Sequence, residues 1–298
     1  MTTDFIDFVN SIGSKFAIKK VEISLPIAMY PGYITPLLVG DDLAIRTSLT
    51  SPVNHDREMN KLLFNHLEIY DPEDSTKKIN WNFEQFVNYI SNIDRLFMFW
   101  GMYKATYDSI KRKVKCESPE CNYEYEILMN MDDLIHEDTI VPWEEDKPFY
   151  EFVYPIEIPY ENMTFTFNTW IPNLKRNNNL LNLIPLNVIQ KNLEQINAVF
   201  TQPENMTLLT KSVKITDSNT KRSVESDKIQ EILATFRSIV PKSVAEEFFE
   251  RYGLKFDKYS PKFYFISTCP SCAKENKYFM DLEFEFFRRS ILGRGESS

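Results

Sequence analysis

The sequence is poor in several residue types that chemistry often needs. Glycine occurs seven times in 298 residues. Glycine-dependent turns are therefore few, and the chain has no P-loop, no dinucleotide-binding glycine fingerprint and no G-x-S-x-G elbow. Histidine occurs three times, as His55, His66 and His136. None pairs with a cysteine or carboxylate at ligand spacing, and a lone histidine is more often packed than catalytic. Excess positive charge is missing too. The formal net charge is -9, which argues against broad nucleic-acid binding through phosphate neutralisation. The longest apolar-aromatic run, Leu96–Tyr103, is too short to span a bilayer. The first residues, "MTTDFIDFVNSIGSKF", have no basic stretch followed by an apolar one, so no secretory signal is expected. These absences point to a non-enzymatic protein kept in a reducing cytoplasm, with no membrane partner.

What is present fits a folded chain with a large core. Hydrophobic residues make up 43% and charged residues 26%, as in ordinary globular proteins. The length suits one large domain or two intertwined ones. An N-terminal helix is expected over Asp4–Ile12, with Phe5, Phe8, Val9 and Ile12 on one face. The stretch "KKVEISLPIAMYPGYITPLLVG" reads as β, but Pro26, Pro31 and Pro36 predict edge strands or an extended arm. "NHDREMNKLLFNHLEIYD" predicts a short helix with Met59, Leu62, Leu63 and Leu67 inward. Phe83, Phe86, Ile90, Ile93, Phe97 and Trp100 recur at three- and four-residue spacing. They predict one continuous helix ending at Gly101.

Further along, "FVYPIEIPYENMTFTFNTWIP" predicts a hairpin turning near Glu161-Asn162. The second half reads as mostly helical. One helix is expected in "PLNVIQKNLEQINAVF" and one in "SDKIQEILATFRSIV" capped by Ser226. Another is expected in "SVAEEFFERYG", with a Ser243–Glu246 capping box and a stop at Gly253. The acidic segment "HEDTIVPWEEDKPF" reads as a solvated loop, and the Asn-x-Thr matches at Asn162 and Asn205 carry little weight.

All four cysteines fall in two tight pairs. Cys116 and Cys121 form C-x4-C in "VKCESPEC", and Cys269 and Cys272 form C-x2-C in "FISTCPSC". Each pair follows a predicted strand and precedes an alternating aromatic segment. Two such strand–knuckle–strand units can face each other and offer four sulfurs to one ion, as zinc prefers. Four protein ligands leave no open position for water, so such a site is structural. Two bland readings stand beside it: a thiol-redox motif in Cys-Pro-Ser-Cys alone, and ordinary free thiols. Whether the ion is zinc or iron is not fixed by the residues.

The expected fold class is α+β: a split zinc-ribbon-like four-cysteine site, a largely helical insertion and an N-terminal extended arm. The expected divisions are 1–80 for the arm and short helices, and 81–135 for the aromatic helix and first knuckle. Residues 136–260 would form the inserted hairpin and helices, and 261–298 the second knuckle and C-terminal segment.

Several segments in order carry a family resemblance. They are "ISLPIAMYPGYITPLLVGDDLAIRTSL", "NKLLFNHL", "WNFEQFVNYISNIDRLFMFWGMYKATYDSIKRKVKCESPEC" and "FISTCPSCAKENKYFMDLEFEFFRRSIL". This order resembles the baseplate-hub and hub-assembly proteins of contractile-tailed, T-even-like bacteriophages. The x4 spacing of the first pair and the long linker depart from that pattern. The resemblance implies a hub component or assembly chaperone acting by protein–protein binding. Its partners would be other tail and baseplate proteins, met in the host cytoplasm during assembly and in the virion's tail baseplate. Phe284, Phe286, Phe287 and Arg288 are the candidate partner-binding residues, although the three phenylalanines equally suit a closing segment in the core. Two rivals remain. One is a zinc-ribbon nucleic-acid binder using Lys111, Arg112, Lys113 and Lys115, extended by Arg288 and Arg289. The other is a thiol oxidoreductase using Cys269 and Cys272.

Overall fold

Strict alternation in "VEISL" turns Val21, Ile23 and Leu25 inward and opens the described chain as a strand. The computed structural model describes residues 19–38, 40–41, 52–136, 139–184 and 202–280. Those residues form a mixed fold of seven α-helices and four antiparallel sheets. The expected helices at Asp4–Ile12 and in residues 185–200 lie outside the described residues. Among the described residues no helix is long and apolar enough to cross a membrane.

The first sheet runs β1 (Val21–Leu25), β2 (Tyr30–Ile34), β3 (Leu67–Tyr70), β4 (Lys78–Ile79). The expectation of an extended arm is corrected here, because β1 and β2 form half of a sheet and β2 is an interior strand. Pro31 is tolerated because β2 pairs with β3 only from Gly32 onward. Among the described residues, the strand partner of Pro31 is Ser24 of β1. Gly32 itself is required, since a Cβ there would lie 2.6 Å from the Glu68 carbonyl oxygen. Helix α1 (Pro52–His66) buries Met59, Leu62 and Leu63 as its pattern predicts.

The aromatic stripe is not one helix. It divides into α2 (Phe83–Tyr89) and α3 (Asn92–Thr106). Each half starts with its own capping box, Asn82 with Gln85 and Ser91 with Asp94. Two local caps outweigh the continuous stripe and break it at Ile90. Nor does Gly101 end α3. It lies inside the helix, where a Cβ would come within 2.5 Å of Ile23 and 2.7 Å of Ile34. Glycine there lets α3 settle directly on the first sheet.

Asp94 also ties this helix to the β1–β2 turn. Its fully buried carboxylate accepts from the Ile27 N–H at 2.9 Å, the Ala28 N–H at 3.1 Å and the Ser91 hydroxyl at 2.7 Å. Burial pushes its acid up to about 6, against the pull of those donors. A second buried carboxylate, Asp56 of α1, is neutralised by an ion pair with Arg95 of α3.

The second half is less helical than expected. Strands β7 (Tyr154–Tyr160) and β8 (Met163–Thr169) form the predicted hairpin, with Glu161 at positive φ in the turn. Two further strands, β9 (Thr210–Asp217) and β10 (Ser223–Ser226), extend it into a four-stranded sheet. Helix α4 (Leu174–Leu181) precedes α5 (Gln202–Leu209) in the described chain. Helices α6 (Ile229–Ser238) and α7 (Lys242–Phe256) cover the sheet. Ser226 is not the cap of α6. It ends β10 and donates to Glu231. Helix α7 starts after Pro241 with no side-chain cap and runs through Gly253, so the Ser243–Glu246 box does not form.

The largest core gathers Val21–Leu134 residues, Leu174, Phe263, Phe265 and Met280. It therefore draws on the segments 1–80, 81–135 and 261–298 together. A second core lies between the β7–β10 sheet and α6–α7. A smaller one joins Ile27 to Trp143, Phe149, Phe256 and Tyr259. The acidic loop thus lends two rings to the interior, while its Glu144 and Glu145 pair with Lys258 and Lys255.

Candidate metal centre

Two hairpins bring the cysteines together. Strands β5 (Ser109–Lys115) and β6 (Glu124–Asn130) pair from Ser109↔Asn130 to Lys115↔Glu124. Strands β11 (Tyr264–Thr268) and β12 (Glu275–Phe279) pair from Tyr264↔Phe279 to Thr268↔Glu275. One cysteine pair occupies the tip of each.

The tips are built alike despite their different lengths. The Cys116 N–H donates to the Tyr123 carbonyl at 2.8 Å. The Cys269 N–H donates to the Lys274 carbonyl at 2.8 Å. The residue after each second cysteine is left-handed: Asn122 at φ 49 and Ala273 at φ 58. That turn aims the next N–H back at the sulfur, so Tyr123 donates to Cys121 and Lys274 to Cys272. The two extra residues of C-x4-C form a turn in which the Cys121 and Asn122 N–H groups bond to the Ser118 carbonyl.

All four sulfurs lie within 4.8 Å of one another. Cys116 and Cys272 are 3.7 Å apart, and Cys121 and Cys269 are 3.8 Å apart. Both contacts join opposite hairpins. A tetrahedron of sulfurs at about 2.3 Å from a central ion has edges of about 3.8 Å. The donor set and its spacing therefore fit one tetrahedral thiolate-bound ion. Cys116 and Cys269 are buried, Cys121 is half-buried and Cys272 is exposed.

The crowding also splits the acidities. The Tyr123 N–H, then Ser271 and the neighbouring sulfurs, draw Cys121 down to about 7. Against the Lys274 N–H, which pulls it down, partial desolvation and the three adjacent sulfurs push Cys272 up to about 12. Four thiolates so close need a cation to ionise together.

The other singled-out residues take no part in this cluster. Among the described residues these cysteines are the one group of potential metal ligands. Burial and Arg95 lower His55 to about 4, which keeps it neutral. His66 bonds to Asp41 and Thr35, and His136 stacks on Tyr264. Lys111, Lys113 and Lys115 are exposed on β5, facing Leu128, Glu126 and Glu124 across the hairpin. Phe284, Phe286, Phe287, Arg288 and Arg289 lie outside the described residues.

The motif reading missed one neighbour of the site, Asn276. It is 1% exposed and lies beside Cys116. The signal was its inward position in the alternation of "ENKYF", where an apolar residue would be ordinary. No family model, no curated protein and no solved structure matches this chain.

Proposed function

We propose that the four cysteines hold a single structural zinc in a split zinc-ribbon-like site, and that the chain is a protein-binding scaffold of phage baseplate-hub assembly. One observation carries the first part: four sulfurs on two similarly built knuckles, all within 4.8 Å. All-cysteine tetrahedral sites favour zinc or iron, and a closed one without an open position is structural. The ion would close a chain loop running from residue 122 to 268, which costs entropy when left unclosed. Metal analysis of protein purified without added metal tests this. One equivalent of zinc is expected, and an iron-dominated or metal-free protein rejects the assignment.

The second part rests on the order of sequence segments and the two cysteine pairs, which resemble hub and hub-assembly proteins. The work assigned to the chain is binding other tail and baseplate proteins, in the host cytoplasm and in the assembled baseplate. Affinity capture from infected cells is the test. Recovery of tail proteins is expected, and recovery of only host replication proteins rejects it. The nucleic-acid alternative is weakened by the glutamates facing the β5 lysines. The oxidoreductase alternative is weakened because Cys269 and Cys272 share their site with Cys116 and Cys121.

A further inference from the structure

We infer that Asn276 is the positioning residue of the metal centre, a buried amide that fixes the distance between the two cysteine knuckles. The inference rests on the metal-site reading above and assigns a role to a residue that supplies no ligand.

Asn276 sits on β12, four residues after Cys272, and is 1% exposed. Its side chain reaches across to the opposite hairpin. The Oδ1 atom accepts from the Glu117 N–H at 2.9 Å and from the Cys116 thiol at 3.5 Å. The Nδ2 group donates to the Lys274 carbonyl at 3.0 Å and to the Tyr125 hydroxyl at 3.4 Å. One amide therefore touches the residue after the first cysteine, the residue two after the fourth, and strand β6.

The orientation is determined by these partners. Turning the amide over would set Nδ2 against the Glu117 N–H and Oδ1 against the Lys274 carbonyl. Two donors and two acceptors would then face each other. With the oxygen so fixed, the bonds to Glu117, Lys274 and Tyr125 persist when an ion displaces the Cys116 proton. Tyr278 reinforces the same junction, bonding to the Tyr125 hydroxyl at 3.0 Å and donating to the Lys115 carbonyl at 3.0 Å. An asparagine this deep in a strand is costly unless fully bonded. Its position is explained by what it holds. It sets where Cys116 stands relative to Cys272, and so the size of the sulfur cage.

The test is metal affinity, measured by competition with a chromophoric zinc chelator, together with the visible spectrum of the cobalt-loaded protein. Asn276→Ala should weaken zinc binding about tenfold to a hundredfold, as loss of an outer partner of a metal ligand typically does. Its cobalt bands should shift or lose intensity as the cage loosens. Asn276→Asp keeps the acceptor for Glu117 but loses both donors, so its affinity should also fall. It decides the matter if the alanine variant does not fold. Phe263→Leu serves as the control. It weakens the foot of the same hairpin by packing alone, through the ring 5.7 Å from Phe97, and should leave affinity and spectrum near wild type. Equal affinities for the Asn276 variants and wild type would overturn the inference, as would an equal loss in Phe263→Leu. Wild-type protein that binds neither zinc nor cobalt would instead overturn the metal-site reading beneath it.

Discussion

The cysteine ribbon and the β7–β10 sheet solve the same problem with different materials. The sheet has one apolar face, covered by α6 and α7. Phe167 meets Phe236 at 5.5 Å and Phe248 at 5.1 Å, and Ile156, Ile158, Val213 and Ile215 fill the remainder. Its outer strand β7 carries Pro155 and Pro159, and Arg251 covers the Glu157 carbonyl. Such features discourage pairing with another chain. The ribbon is two separate two-stranded hairpins, and a lone hairpin is at best marginal in water. It enters the main core through Ile110, Val114, Met129, Phe263 and Phe265, with Tyr125 and Tyr278 packed against it. Its tips are joined by sulfurs, an amide and two tyrosines. Where apolar area runs out, directional bonds and four clustered sulfurs take over.

The largest effect should come from breaking the ribbon's own device. Stripping metal with a strong chelator, or Cys269→Ser, should free the amides of β5, β6, β11 and β12 in hydrogen exchange. Protection in β7–β9 should persist. Structural zinc supplies about 10–16 kcal/mol of apparent binding in small metal-dependent units, so a loss of several kcal/mol is expected here. Uniform loosening of both regions would contradict the contrast.

The converse is Phe248→Ala. Emptying that fully buried position should cost about 3–5 kcal/mol in denaturant unfolding. Zinc affinity should stay at the wild-type value, because the ring lies in the other core.

Asp94 sharpens the comparison from the shared centre. Asp94→Asn removes the titration of this carboxyl, and an amide cannot accept from all the donors around it, so the variant should be destabilised most below about pH 4 and least near neutral pH. The wild-type carboxyl is raised from an ordinary 3.8 to about 6. Its favourable contribution is complete below about pH 4 and is lost as pH rises through about 6, a change of about 3 kcal/mol. The difference between wild-type and variant stability across that window isolates it.

The smallest effect belongs to the second knuckle. Ala273 holds φ at 58, where a Cβ is strained and glycine is not. Ala273→Gly should raise ribbon stability by about 0.5–1 kcal/mol. A decrease would mean that the lost chain stiffness outweighs the relieved strain.

How much was legible varied with how local the cause was. The hairpin at Glu161-Asn162 and the inward face of α1 follow from short patterns. The capping boxes that split the aromatic stripe were also spelled out locally, as Asn82 with Gln85 and Ser91 with Asp94. The three- and four-residue spacing of rings runs on through the break and conceals it. Strand β9 was missed although Val213 and Ile215 alternate, because a strand is stabilised by its neighbours β8 and β10. The burial of Asp94 and the role of Asn276 depend on partners 67 and 159 residues away.

By itself, the sequence determined that four sulfurs would come as two knuckles, each on its own hairpin, because turn chemistry and strand alternation act over a few residues. Tertiary structure alone decided that the knuckles meet. It also decided which interior strand tolerates Pro31 and which buried polar side chains find donors. Those outcomes depend on surfaces that exist only after distant segments have packed, and no short stretch of chain carries that information.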